Sequence, residues 1–235
     1  MRKLITLLLL LTLMFTLWAS PDGTWSIGFS SGYSNNAVLY QKGCRIDTGY
    51  ENGNGFSISI PVNYKVNDFF SVETGITYVQ KNFTWSKTYR TDSETLTFSQ
   101  KQINGFVEIP LSLSFSITNS TVSAVASAGP YIGIWAHSYR TDSPYNSSVG
   151  LNGEGKYDTV SGFHSFNKAD NRFEFGFIFT AGVEVEISRT VMFLRGVYDI
   201  SITDLSSDYQ ISRVVRHNST FRAEAGMRFL IGDAE

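Results

Sequence analysis

The chain is poor in the features that would point to most soluble functions. Among its 235 residues there is one cysteine, Cys44, so no intramolecular disulfide can staple it. Its three histidines, His137, His164 and His217, fall in or beside polar stretches without metal-ligand spacing, so they are read as solvated and neither metal nor cofactor is expected. Charged residues make up only 17% and the formal net charge is −2, too balanced to suggest nucleic acid as a partner. There is no glycine-rich phosphate loop. Beyond Leu17 no apolar run approaches the roughly 18 residues of a membrane helix, so the remaining chain could cross a membrane only as a closed sheet.

The exception is the start. Arg2 and Lys3 precede an apolar stretch over 4–17, and small residues follow at Ala19 and Ser20. That is the layout of a secretory signal peptide, with cleavage expected after Ala19 because Pro21 disfavours the next bond. An uncleaved anchor helix is the weaker reading, since about 14 apolar residues are short for a span. Residues 1–19 are thus read as a signal peptide and 20–235 as one domain.

What the chain has in quantity is aromatic residues, 14%, and period-two alternation. Side chains of a strand alternate between faces. Over 173–187, Phe173, Phe175, Phe177, Phe179, Ala181, Val183, Val185 and Ile187 share one face, with Glu174, Gly176, Ile178, Thr180, Gly182, Glu184 and Glu186 on the other. Weaker copies begin at Trp25, Phe56, Phe70, Ile103, Val122, Val191 and Phe221, giving eight strands. Short turns at Asn67-Asp68, Thr118-Asn119-Ser120 and Ser188-Arg189 alternate with long polar connections over 34–53, 81–100, 138–171 and 201–218. Short turns at one end and long loops at the other describe an outer-membrane barrel. The expected fold is therefore all-β, an eight-stranded antiparallel up-and-down transmembrane β-barrel in the bacterial outer membrane. Trp25, Tyr33, Tyr64, Tyr78, Trp135 and Tyr198 are placed for aromatic girdles.

The apolar face should then meet lipid and the polar face should fill a narrow lumen. Glu73, Glu108, Glu174, Glu184, Glu186, Arg195, Arg222, Glu224 and Arg228 form the expected lumen charge network, and Lys65, Arg172 and Asp199 lie on the same polar faces. A soluble exported barrel that holds a small hydrophobic ligand in a greasy interior is the rival arrangement. Glu184 and Glu186 on one face could suggest acid–base work, but pairing with arginines accounts for them more simply, and no catalytic residues are assigned. The segment Tyr89-Arg90-Thr91-Asp92-Ser93 recurs as Tyr139-Arg140-Thr141-Asp142-Ser143. Hairpin duplication or chance is the simpler account of the repeat; if it is functional, Tyr89, Arg90, Asp92, Tyr139, Arg140 and Asp142 are the loop candidates for one binding surface.

Glu108-Ile109-Pro110-Leu111, followed by Ala128-Gly129-Pro130-Tyr131-Ile132-Gly133 and later by Arg195-Gly196-Val197-Tyr198, resembles the PorT-type outer-membrane β-barrel family. The resemblance implies an eight-stranded barrel in a diderm bacterium and leaves activity open. Expected partners are outer-membrane lipid, the assembly machinery and an extracellular ligand or host surface. Phe229, six residues before the end, departs from the terminal aromatic that this machinery reads. A closed lumen with surface-active loops, or a structural or secretion-related role, is the leading expectation, and a narrow lateral path for small apolar molecules stands beside it.

Overall fold

The computed structural model describes residues 24–40, 48–90, 95–149, 155–207 and 215–231, with side chains at all of these but 89–90, 95–97, 142–149 and 155–160. The signal-peptide reading of 1–19, and Cys44, lie outside the described residues.

Alternation produces strands throughout: β1 (Thr24–Tyr40), β2 (Thr48–Lys65), β3 (Phe70–Gln80), β4 (Phe83–Arg90), β5 (Thr95–Asn119), β6 (Val122–Val149), β7 (Gly155–Phe163), β8 (Phe173–Ile187), β9 (Thr190–Ser201) and β10 (Arg216–Ile231). Eight of them close a ring in the order β1–β2–β3–β5–β6–β8–β9–β10, every pair antiparallel, with β10 hydrogen-bonded back to β1. A closed ring leaves no unpaired edge to face hydrocarbon. The other two strands lie beyond the spans. After a break at Lys81 and Asn82, β4 continues the path of β3 between the same neighbours, β2 and β5. β7 is the return arm of a hairpin made with the outer part of β6.

Much of what reads as long loop is therefore sheet: β1 runs to Tyr40, β5 begins at Thr95 and β6 extends to Val149. Above the bilayer the outer face of a strand meets water, so it no longer needs apolar residues, and the period-two signal fades while the ladder continues. The turn expected at Thr118-Asn119-Ser120 also moves. Thr118 and Asn119 pair with Ser123 and Val122, and the turn is Ser120-Thr121. Ser120 (φ 59°) and Ser188 (φ 58°) each take the first turn position in the left-handed region that tight hairpins favour.

The apolar residues point outward. Leu113 is 67% exposed, Leu194 60% and Phe179 49%, while Ser30, Ser57, Glu108, Arg222 and Glu224 are buried. The greasy-interior arrangement of a soluble barrel is not the one adopted. Aromatic rings gather near the turn end, where Trp25 meets Tyr64 at 4.7 Å and Phe70 meets Phe115 at 5.5 Å. Near the opposite end Phe56 meets Tyr78 at 5.6 Å. Trp135 is the correction to this set. It shares its face with Tyr131 and Gly133, and is buried inside the barrel.

Candidate functional site: a charge-filled lumen beneath an apolar cap

The lumen is built in layers by inward residues of neighbouring strands. At the turn end lies a vestibule of about 90 Å³, lined among others by Ser71, Glu73, Ser114, Glu184, Glu186 and Arg228. Above it Arg228, from β10, donates through Nη2 to both carboxylate oxygens of Glu184 on β8, each at 2.7 Å, and through Nη1 to Glu73 on β3 at 3.2 Å. Arg195, from β9, donates to the other oxygen of Glu73 at 2.5 Å and to Glu224 at 3.2 Å. Arg222 then joins Glu224 at 2.7 Å and Asp199 at 3.0 Å, and Ser57 donates to Glu224 at 3.1 Å. The ring of Phe193 turns inward beside Arg195 and Arg228, 4.7 and 5.4 Å from their guanidinium carbons.

The next layer centres on Lys81, at the break between β3 and β4. Its side chain is fully buried. The ammonium lies 2.6 Å from Glu108 Oε1, a close ion-pair contact that falls short of hydrogen-bond geometry, and also pairs with Glu174. Tyr131 donates to Glu174 at 2.5 Å, and Asn218 donates to the other oxygen of Glu174 at 2.9 Å. Over this sits a neutral layer in which Asn36 accepts from Thr220 at 2.8 Å and Asn104 N–H donates to the Asn82 side chain at 2.9 Å. Six carboxylates thus face four cations across the described lumen, and hydroxyl or amide donors from Ser57, Tyr131 and Asn218 add hydrogen bonds to Glu224 and Glu174. Such pairing offsets the large desolvation cost of burying ions.

The far end is dry. Val38, Val79, Phe83, Phe106, Trp135 and Leu205 form a buried apolar cluster, with Tyr40, Tyr50, Trp85 and Phe166 against it. Two inter-strand segments fold over it. Phe166 meets Trp135 edge-on at 5.0 Å, His164 bonds Asp170 at 2.9 Å, and Asp170 bridges to Ser206. Asn171 N–H donates to the Leu205 carbonyl at 3.0 Å, and Ser207 N–H to that of Ala169 at 2.9 Å. The segments over 164–172 and 202–207 are thus tied together as a lid.

Of the network residues read from sequence, Glu73, Glu108, Glu174, Glu184, Arg195, Arg222, Glu224 and Arg228 meet inside the barrel, joined by Asp199. Glu186 does not join them. It lies one pair from the Ser188-Arg189 turn, is exposed at the vestibule rim, and makes no ion pair among the described residues. Lys65 pairs at 3.2 Å with Asp68 in an exposed turn contact, and Arg172, at the end of the first lid segment, donates to the Trp135 carbonyl at 3.1 Å. The histidines are partnered, not merely solvated: His137 bonds Tyr78 at 2.9 Å and His217 bonds the Thr203 carbonyl at 3.0 Å. Lys81 is the residue that sequence reading missed, having been assigned to the 81–100 loop. A signal for it existed, because the inward face of β3 runs Glu73, Gly75, Thr77, Val79, Lys81.

The loop candidates divide. Tyr139 meets Phe163 edge-on at 5.2 Å on the outer hairpin. Arg140 is half-buried beside it, and burial pulls its guanidinium below the ordinary value, opposed by Asp170 and reinforced by Arg216. The side chains of Tyr89, Arg90 and Asp142, and all of Asp92, lie outside the described residues. In the backbone, Tyr89 and Arg90 pair with β5 from one side and Tyr139, Arg140 and Thr141 pair with it from the other.

A family model described as "Outer membrane protein beta-barrel domain" matches residues 18–207. No curated protein matches the chain in sequence. Among solved structures, the chain is similar to the attachment invasion locus protein Ail of Yersinia pestis, at 14% identity over 87% of this chain and 98% of that one, with a TM-score of 0.39. It is also similar to OprG of Pseudomonas aeruginosa, at 11% identity over 92% and 99% with a TM-score of 0.48. A third likeness is to the outer membrane protease OmpT of Escherichia coli, at 11% identity over 90% and 98% with a TM-score of 0.46.

Proposed function

As the chain belongs to the family of outer membrane protein β-barrel domains, and so resides in the bacterial outer membrane, we propose that it works without catalysis. In this reading it is a barrel closed to axial diffusion that presents its outer sheet and lid to an extracellular ligand or host surface. The observation that carries the reading is the filling of the lumen. Paired ions occupy it from Glu184 to Lys81, amides follow, and an apolar cluster seals the far end. An eight-stranded barrel leaves little more than side-chain room inside, and here that room is used.

Within the same reading, residues 1–19 direct export and are removed, the outer-membrane assembly machinery inserts the remainder, and the family assignment narrows to the PorT type on Glu108-Ile109-Pro110-Leu111 and Ala128–Gly133. Acid–base chemistry has little support in the lumen. Glu184 is held by both its oxygens on Arg228, and Glu186 makes no ion pair among the described residues. Planar-bilayer recording of the purified barrel tests the proposal, after its fold has been checked by the gel shift between boiled and unboiled samples. Current indistinguishable from bare bilayer is expected, and a stable ohmic pore would overturn the closed-lumen reading.

A further inference from the structure

Three of the five prolines, Pro61, Pro110 and Pro130, lie in the middle of membrane spans. Proline has no N–H, which is why interior strands of a sheet normally exclude it. Each leaves a gap in a ladder. The β1–β2 pairing stops at Ile27↔Val62 and resumes at Ser30↔Ser59, omitting Gly28 and Pro61. The β3–β5 pairing stops at Thr74↔Leu111 and resumes at Thr77↔Glu108, omitting Gly75 and Pro110. The β5–β6 pairing stops at Pro110↔Tyr131 and resumes at Leu113↔Ala128, omitting Leu111 and Pro130. The register is the same on both sides of each gap, so a hydrogen bond is lost and no residue is inserted. The carbonyls of Gly28, Gly75 and Leu111 lack the ladder donors they would otherwise have.

The opposite wall is different. β6–β8, β8–β9, β9–β10 and β10–β1 pair without a gap through the bilayer. β5 alone is weakened along both edges, and at one depth, near the centre of its lipid-facing run from Val107 to Ile117. Unmade backbone bonds are expensive in hydrocarbon, where no water replaces them. A wall that keeps three of them on one side is built to separate there more readily than elsewhere.

The inner side of the β3–β5 seam leads somewhere. Gly75 takes φ +156° and has no side chain, and a Cβ there would lie 2.4 Å from the Ile60 carbonyl oxygen. Behind it is a small cavity of about 10 Å³, lined among others by Pro61, Glu73, Gly75, Pro110, Ser112 and Arg195. Glu73 also lines the 90 Å³ vestibule below. One carboxylate, held by Arg195 and Arg228, thus separates an open, turn-side chamber from the weak part of the wall. On the lipid side Thr74 Oγ1 clasps the seam by donating to the Pro110 carbonyl at 2.8 Å.

We propose that the β3–β5 seam is a lateral passage between the turn-side vestibule and the bilayer core, with Glu73 as its latch, and that it admits a small uncharged amphiphile. The ligand class follows from the lining. Ser59, Thr77 and Ser112 offer hydroxyls to a neutral polar head, the neighbouring arginines are already paired, and the exit is hydrocarbon. This deepens the closed-lumen reading, since it requires the axial route to be shut.

The test uses the folded barrel in lipid vesicles, in a Cys44→Ser background. A diazirine-bearing octanol dissolved in the bilayer is photolysed, and labelled residues are located by mass spectrometry. Glu73 should be labelled, and a disulfide across the seam from Thr74→Cys with Leu111→Cys should abolish that labelling. A control disulfide in the intact wall, Val183→Cys with Leu194→Cys, should leave it unchanged. In parallel, amide exchange at Gly75 and Leu111 should be at least tenfold faster than at Phe179 and Ala181. Pro110→Ala with Pro130→Ala, which restores the missing donors, should remove that difference. No labelling of Glu73 in the unlocked barrel, equal labelling with the seam locked, or uniform exchange around the ring would overturn the passage. A conducting pore in planar bilayers would instead sink the closed-lumen reading and leave the labelling result to stand separately.

Discussion

Taking an ammonium group out of water costs several kcal/mol unless carboxylates stand beside it, and Lys81 has two, Glu108 and Glu174. The dependence runs both ways, because those carboxylates are equally buried and have no other cation as close. Lys81→Met keeps the length of the side chain but leaves two acids uncompensated, so it should destabilise the barrel by about 3–5 kcal/mol. Denaturant unfolding in lipid vesicles measures this. Adding Glu108→Gln and Glu174→Gln to the same chain removes the stranded charges and should recover at least half of the loss. If the triple variant is no better than the single one, Lys81 acts through packing against Phe106 and Tyr131 and not through charge. Sequence parity was enough to place most of the acids and arginines on inward faces. It could not say which acid meets which cation, because Glu73 and Arg228 are brought together only when the ring closes.

At the scale of the strand, a side-chain parity that repeats through the bilayer separates two environments as unlike as hydrocarbon and a salt-bridged interior. β9 shows both. Leu194 faces out at 60% exposure, while its neighbours Phe193 and Arg195 point in. Leu194→Arg should therefore cost about 2–4 kcal/mol in a bilayer, as a cation near the midplane of a barrel's lipid face does. Unfolding titrations in vesicles would read the loss, and a change of less than about 0.5 kcal/mol, ordinary for a water-facing surface, would contradict the outward assignment. The spans were legible because lipid imposes the alternation on every strand. β4, β7 and the outer halves of β1, β5 and β6 were not, since both faces there meet polar surroundings or the cap. Trp135 was misassigned for a related reason: near a strand end an aromatic residue suits either a girdle or a plug, and only its parity with Tyr131 decides.

For the whole molecule, the two ends of the lumen differ in kind. The turn end opens into a polar chamber, and the other is sealed by hydrophobic contact beneath a lid. Blocks in series limit flow by whichever remains closed, so loosening the cap should expose what lies just under it without creating a pore. Thiol accessibility can show this in a Cys44→Ser background. The thiol introduced by Ser123→Cys, in the vestibule wall, should react within minutes with a small charged thiol reagent applied from the turn side. That introduced by Thr220→Cys, fully buried in the amide layer, should stay unreacted in the folded barrel. Combining Thr220→Cys with Phe166→Ser and Leu205→Ser should make it reactive from the lid side. Planar-bilayer current should nevertheless remain at the baseline, because the layers of Lys81, Arg222, Arg195 and Arg228 still fill the lumen below. Current through that cap variant would mean that the ion pairs are a loose, hydrated lining, and that the apolar cap alone keeps the barrel shut.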